Sequence, residues 1–237
     1  MGILNRIVLS TAPWMPKIVI GRIASVYVAG NKLEDGIDLV RKLNKKGFVG
    51  TLDLLGEEVK NRRGITKTTN SYCDLIDGIA NSGVDCNISL KLTAIGLKVD
   101  ESLCWDNLSV ILDKAKMYNT FVRMDMEDSE VTESTIKMCK KAVNYYPNCG
   151  TVLQAYMYRT SDDIDLLKGP NTNIRLCKGA YKESKDIAIQ DYNKIRENYV
   201  ECTEKMIKNN IYSCFATHDT WIIERIEKLI ELSLIHI

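Results

Sequence analysis

The chain has 237 residues, 45% of them hydrophobic and 27% charged, with 32 Lys and Arg against 31 Asp and Glu and a formal net charge of +1. That balance lacks the basic excess needed to neutralise phosphates, so nucleic acid is excluded as an expected partner, and the apolar content excludes a disordered chain. No run reaches the roughly 18–20 apolar residues of a membrane span, and the first 21 residues, broken by Arg6, Lys17 and two prolines, do not form the apolar core of a signal peptide.

The elements alternate in type along the chain. Residues 31–47 place Leu33, Ile37, Val40 and Leu43 on one helical face, with Asn31 and Glu34 spaced as a capping pair and Gly47 as the stop. The apolar run 48–56 is the first strand. A helical stripe over 72–80, ending at Gly83, leads to a second strand at 87–93. Trp105, Leu108, Ile111, Leu112 and Ala115 mark the next helix, and 120–126 the third strand. A helix over 131–146, stopped by Pro147, precedes a strand at 150–158; a short helix at 161–167 precedes a fifth strand at 173–179. A long helix over 184–209, a strand at 211–217 and a helix at 221–230 complete the series. Six strand–helix units after an entry helix predict an α/β fold, with a parallel sheet and helical crossovers. The length is typical of, or slightly short of, the roughly 250 residues of a barrel.

Nearly every strand ends on a chemically capable group: Asp53, Lys91, Asp125, Gln154, Arg175 with Lys178, and Thr217-His218-Asp219. In a barrel all strand C-termini share one mouth, whereas a doubly wound sheet gathers ligands at one switch point. With no GxGxxG after the first strand and no GxxxxGK[ST], the barrel is the better reading. Lys91 beside Asp125 can hold a substrate carboxylate, act as a Schiff-base nucleophile, or form a solvated ion pair. Arg175 and Lys178 bracket a strand end beside Gly179-Ala180, a set suited to a diphosphate or to a ring that accepts negative charge. His218 has no second histidine near it and no HExxH, so no metal is expected. The eight cysteines form no CxxC pair and read as free thiols in a reducing cytosol.

Taken together, residues 89–97 (SLKLTAIGL), 122–129 (VRMDMEDS), 153–160 (LQAYMYRT), 175–183 (RLCKGAYKE) and 216–219 (ATHD) resemble, in order and spacing, the proline dehydrogenase family. Residues 33–59 resemble the entry helix and first strand of its monofunctional bacterial form. The resemblance runs from about residue 22 to about 231 and implies a distorted (β/α)8 barrel with non-covalent FAD at its mouth. It implies oxidation of L-proline to Δ1-pyrroline-5-carboxylate, with electrons passed to a quinone and peripheral membrane contact from the cytoplasm. By resemblance, Lys91 contacts the substrate carboxylate, Asp125 is its acidic partner and Arg175 lies against the flavin near N5. Met126 and Gln154 match flavin-ring contacts, and Lys178, Gly179, Ala180, Thr217 and His218 match positions that hold the rest of the cofactor.

The family continues with two further strands and a final helix, whose arginine pair clamps the proline carboxylate; this sequence does not match them. Residues 232–237 read as a non-native tail, since one coding sequence for them resembles a transposon end used in library preparation. The expected division is therefore 1–30 as a segment of unclear role, 31–231 as an incomplete barrel and 232–237 as the tail. On this reading the 237 residues by themselves bind proline poorly or are inactive. Two other readings are a barrel lyase or aldolase using Lys91 as a Schiff-base nucleophile, and a non-catalytic barrel fragment.

Overall fold

The computed structural model describes residues 28–30 and 32–235. Helix α1, Leu33–Asn44, forms where the apolar stripe predicts it, with Glu34 and Asp35 in its first turn and Arg41 and Lys42 in its last, each sign matched to the helix dipole. The Lys32 N–H donates to Asp35 Oδ2 at 3.2 Å; Asn31, the expected cap, lies outside the described residues. Contacts divide the chain into two units, one of residues 1–50 and 78–86, the other of 51–77 and 87–237. In the first unit Leu33 and Ile37 close onto Gly78, where an added Cβ would lie 2.6 Å from Leu33 Cδ2. Glycine permits that approach.

Strand β1 (Gly50–Asp53) is followed by α2 (Arg62–Ser82), β2 (Cys86–Leu90), a 3-10 turn (Leu92–Ile95) and α3 (Glu101–Tyr118). Then come β3 (Val122–Met124), α4 (Thr132–Tyr145), β4 (Cys149–Gln154), α5 (Thr160–Leu167), β5 (Asn173–Cys177), α6 (Tyr192–Lys208), β6 (Tyr212–Ala216) and α7 (Thr220–Ile235). Among the described residues the strands form one six-stranded sheet in the order β1-β2-β3-β4-β5-β6, with parallel ladders from β2 to β6. Strand order equal to chain order is barrel order, because a doubly wound sheet reverses direction at its switch point. The fold is α/β, an incomplete (β/α)8 barrel whose six strands do not close on themselves.

Two helix boundaries differ from the sequence expectation, each for a local reason. Helix α2 starts at Arg62, well before the apolar stripe, because Asn61 Oδ1 accepts the Gly64 N–H at 2.7 Å and Ile65, Thr69 and Tyr72 continue a buried line. Helix α6 starts at Tyr192, not at 184, where Asp191 accepts the Lys194 N–H at 2.9 Å. The apolar residues before it anchor a loop instead: Ala188 bridges to Met157 and the Ile189 N–H donates to the Tyr156 carbonyl.

The strands present two chemically different faces. Ile88, Leu90, Val122, Met124, Ile174 and Leu176 are fully buried, and alternate with Ser89, Arg123, Asp125 and Arg175. Stripes on the helices, such as Leu108, Ile111, Leu112 and Ala115 on α3, supply buried apolar surface. Burial pushes the thiols of Cys139, Cys149 and Cys202 up to about 12, which leaves them as packing groups.

Candidate active site

The polar strand ends converge at the C-terminal end of the sheet, within the second unit. Lys91, directly after β2, donates to Asp53 Oδ2 at the end of β1 at 2.6 Å and lies 3.6 Å from Asp125 Oδ2. Burial alone would lower the ammonium's pKa; the hydrogen bond and charge of Asp53, helped by Asp125, outweigh it and raise the pKa. Burial raises the Asp53 carboxyl against the pull of Lys91 and Tyr72, and the Tyr72 hydroxyl donates to Asp53 Oδ1 at 2.9 Å from α2. Arg175 Nη2 reaches across β4 to Asp125 Oδ1 at 2.6 Å, and Ser89 Oγ donates to the same oxygen at 2.5 Å. Two cations and two carboxylates are thereby locked together, with Asp125 between Lys91 and Arg175. Such a site can accept a carboxylate at Lys91 and place positive charge from Arg175 against a neighbouring ring.

A second group of residues surrounds the loop after β5. Gly179 has φ +134°, and a Cβ there would lie 2.3 Å from the Tyr156 ring, so the loop turns at this point only with glycine. The Ala180 N–H donates to Gln154 Oε1 at 3.1 Å, while Gln154 Nε2 donates to the Glu127 carbonyl at 2.9 Å. Lys178 Nζ meets Asp219 Oδ2 at 2.5 Å, and Arg196 binds both oxygens of Asp219 at 2.8 Å. Tyr192 donates its hydroxyl to the same carboxylate at 2.8 Å and lies under the Arg196 guanidinium. Lys178 and Arg196 against Asp219 leave one positive charge in excess, beside the exposed residues Gly179 and Ala180. Such an excess of cationic donors suits an anionic group such as a diphosphate.

Asp219 also makes a prediction about pH. Its hydrogen bonds from Arg196, then Lys178 and Tyr192, overcome desolvation and hold the carboxyl well below the usual range. A depressed folded-state pKa contributes stability that is present above the unfolded value of about 3.9 and is lost as pH falls toward the folded value. Urea midpoints measured from pH 7 downward should fall more steeply below about pH 5 for the native chain than for Asp219→Asn; equal slopes would contradict the assignment.

All ten residues expected at the site lie at this end of the sheet, in two groups. Lys91, Asp125 and Arg175 are in direct contact; Met126 is buried just beyond Asp125, and Gln154, Lys178, Gly179 and Ala180 form the second group. Thr217 accepts the Asp219 N–H through its hydroxyl, and His218 is exposed beside it. The sequence reading made Asp125 the partner of Lys91, whereas Asp53 is nearer. It also passed over Tyr72, Ser89, Glu127, Arg196 and the role of Asp219. For Asp53 and Asp219 the strand-end position was a usable signal; for Arg196, inside a helix, there was none. A separate cavity of about 840 Å³, lined by Arg123, Asn148, Asn173 and Tyr212 among others, lies at the opposite end of the strands and contains none of these groups.

The family model for proline dehydrogenase matches residues 37–234. Proline dehydrogenase 2 of Bacillus subtilis strain 168 is 35% identical over 228 residues, 96% of this chain and 73% of the relative. Proline dehydrogenase of Deinococcus radiodurans is 33% identical over 213 residues, 88% of this chain and 69% of the relative. Proline utilization A from Bdellovibrio bacteriovorus, inactivated by N-propargylglycine, superposes with a TM-score of 0.81 at 20% identity, a likeness of fold covering 88% of this chain and 27% of that one.

Proposed function

Because the chain belongs to the proline dehydrogenase family, we propose that it oxidises L-proline to Δ1-pyrroline-5-carboxylate with non-covalent FAD, the first step of proline catabolism. The observation that carries this reading is the Asp53–Lys91–Asp125–Arg175 cluster, an ion-paired lysine and arginine joined through one carboxylate. FAD, when bound, supplies the acceptor for the hydride that leaves the proline carbon next to nitrogen. Lys91 holds the substrate carboxylate, and Asp53 and Asp125 keep its ammonium charged and aimed. Arg175 would lie against the bound flavin and would supply the positive charge that offsets the reduced ring. Met126 and Gln154 would contact the ring, and Lys178, Gly179, Ala180, Thr217 and His218 would hold the rest of the cofactor. The electrons pass to a quinone through peripheral contact at the cytoplasmic face of the membrane; no helix among the described residues is long and apolar enough to cross one.

The geometry disfavours the Schiff-base alternative. A nucleophilic lysine needs a lowered pKa, and that of Lys91 is raised by Asp53. Anaerobic addition of L-proline to the FAD-loaded protein should bleach the flavin absorbance, and buffer alone should not. A flavin that dithionite reduces and proline leaves oxidised would refute the proposed activity.

A further inference from the structure

Glu127 is 2% exposed, and no lysine or arginine among the described residues lies within ion-pair distance of it. A carboxylate in that position is tolerated when hydrogen bonds replace its lost water, and both bonds come from one residue. The Thr93 N–H donates to Oε1 at 3.0 Å and the Thr93 hydroxyl donates to Oε2. Thr93 Oγ1 in turn accepts the Glu58 N–H at 3.0 Å, so its own proton is committed to Glu127. Burial raises the Glu127 carboxyl, and the two Thr93 bonds oppose the rise.

The position of Thr93 gives these bonds their meaning. The 3-10 turn Leu92–Ile95 starts at Lys91, whose side chain makes no cap bond. The Thr93 N–H, one of the donors a helix start leaves unpaired, is met by Glu127 from the segment that follows β3. This fixes the backbone two residues beyond Lys91, and with it the base from which the lysine projects. Through its carbonyl the same Glu127 receives Gln154 Nε2 at 2.9 Å, and Gln154 Oε1 receives the Ala180 N–H at 3.1 Å. A continuous chain of bonds therefore runs from the Lys91 turn to the loop after β5, across the ends of β3 and β4.

We infer that Glu127 is a positioning residue that holds the substrate lysine and the cofactor loop in one register, through Thr93 on one side and Gln154 on the other. The inference rests on the assignment of those two half-sites above. In Glu127→Gln an amide replaces the acceptor of the Thr93 hydroxyl, and Thr93→Val removes the hydroxyl itself, whereas Thr93→Ser keeps it. In the FAD-loaded protein, backbone amides of both 91–95 and 178–181 should exchange about tenfold faster or more in Glu127→Gln and in Thr93→Val, with α6 unchanged. Flavin reduction at saturating proline should fall about 100-fold in both variants at a nearly unchanged KM, since misplacement costs rate more than binding. Thr93→Ser should restore both readouts, and the double variant should be no worse than either single one. Faster exchange confined to 91–95, or flavin reduction within about twofold of the native chain, would overturn the inference. Should proline fail to reduce the native protein, the proposed activity fails, and the exchange experiment alone decides the coupling. If Glu127→Gln does not fold, Thr93→Val carries the same test.

Discussion

Gly150→Ala is expected to destabilise the protein by about 3 kcal/mol or more, a large share of the roughly 5–15 kcal/mol typical of a domain. Gly150 lies on β4 opposite Arg123 of β3. An added Cβ would lie 2.3 Å from the Asn173 carbonyl oxygen, 2.9 Å from Asn173 Cβ and 3.1 Å from Arg123 Nη1. The first of these is backbone, so relief requires β4 and β5 to separate along a shared ladder. The third is a guanidinium that crosses this glycine to reach the carbonyls of Thr151 at 3.0 Å and Asn173 at 3.4 Å. Arg123 is 6% exposed and has no carboxylate within ion-pair distance among the described residues, so those carbonyls, with Cys214 Sγ at 3.6 Å and the Phe121 ring at 4.7 Å, are what compensates its burial. Urea unfolding at pH 7 would measure the effect; a loss below about 1 kcal/mol would mean that the sheet absorbs the methyl group, contrary to its close packing.

Asp125→Ala is expected to lower kcat/KM for proline by about 100-fold or more, while the protein still takes up FAD. Asp125 receives Arg175 and Ser89 on Oδ1 and lies 3.6 Å from Lys91 through Oδ2. Without it Arg175 loses its carboxylate, and Asp53 is left as the one carboxylate paired to Lys91. The arginine is then free to turn toward solvent, and like charge from Lys91 favours that movement. Because the groups act as a unit, combining Asp125→Ala with Lys91→Met should cost much less than the sum of the single losses. Steady-state assays with a dye acceptor, alongside flavin content from absorbance, would measure both. Additive losses would show that the two residues act independently, and normal turnover in Asp125→Ala would remove Asp125 from the site.

Much of the site was legible in sequence because a parallel α/β sheet places its strand ends together, whatever the details of packing. Asp53 and Gln154 end their strands, Lys91, Asp125 and Lys178 directly follow theirs, and Arg175 stands two residues before the end of β5, so their types and positions already described a cation-rich mouth able to receive a carboxylate. Pairing was not legible. Asp53 and Asp125 flank Lys91 on neighbouring strands and look alike in the sequence, and the nearer one is set by side-chain reach across the sheet. Arg196 and Tyr192 belong to α6, and they reach Asp219 because that helix packs over β5 and β6. Glu127 sits beside two residues that the resemblance does assign, yet it is defined by a bond to Thr93, 34 positions away.

By itself, then, the sequence determined the class of fold, the number and order of strand–helix units and the family, because period, turn residues and strand-end chemistry are local properties of the chain. It also determined which residue types line the mouth. The tertiary structure decided the connections: that Lys91 rests on Asp53, that Arg175 spans β4 to reach Asp125, that Gly150 lets Arg123 cross, and that α6 begins at Tyr192. Each of these depends on distances between segments far apart in the chain. Such distances are set by the register of parallel strands and by the packing of helices on them, and no local pattern encodes them.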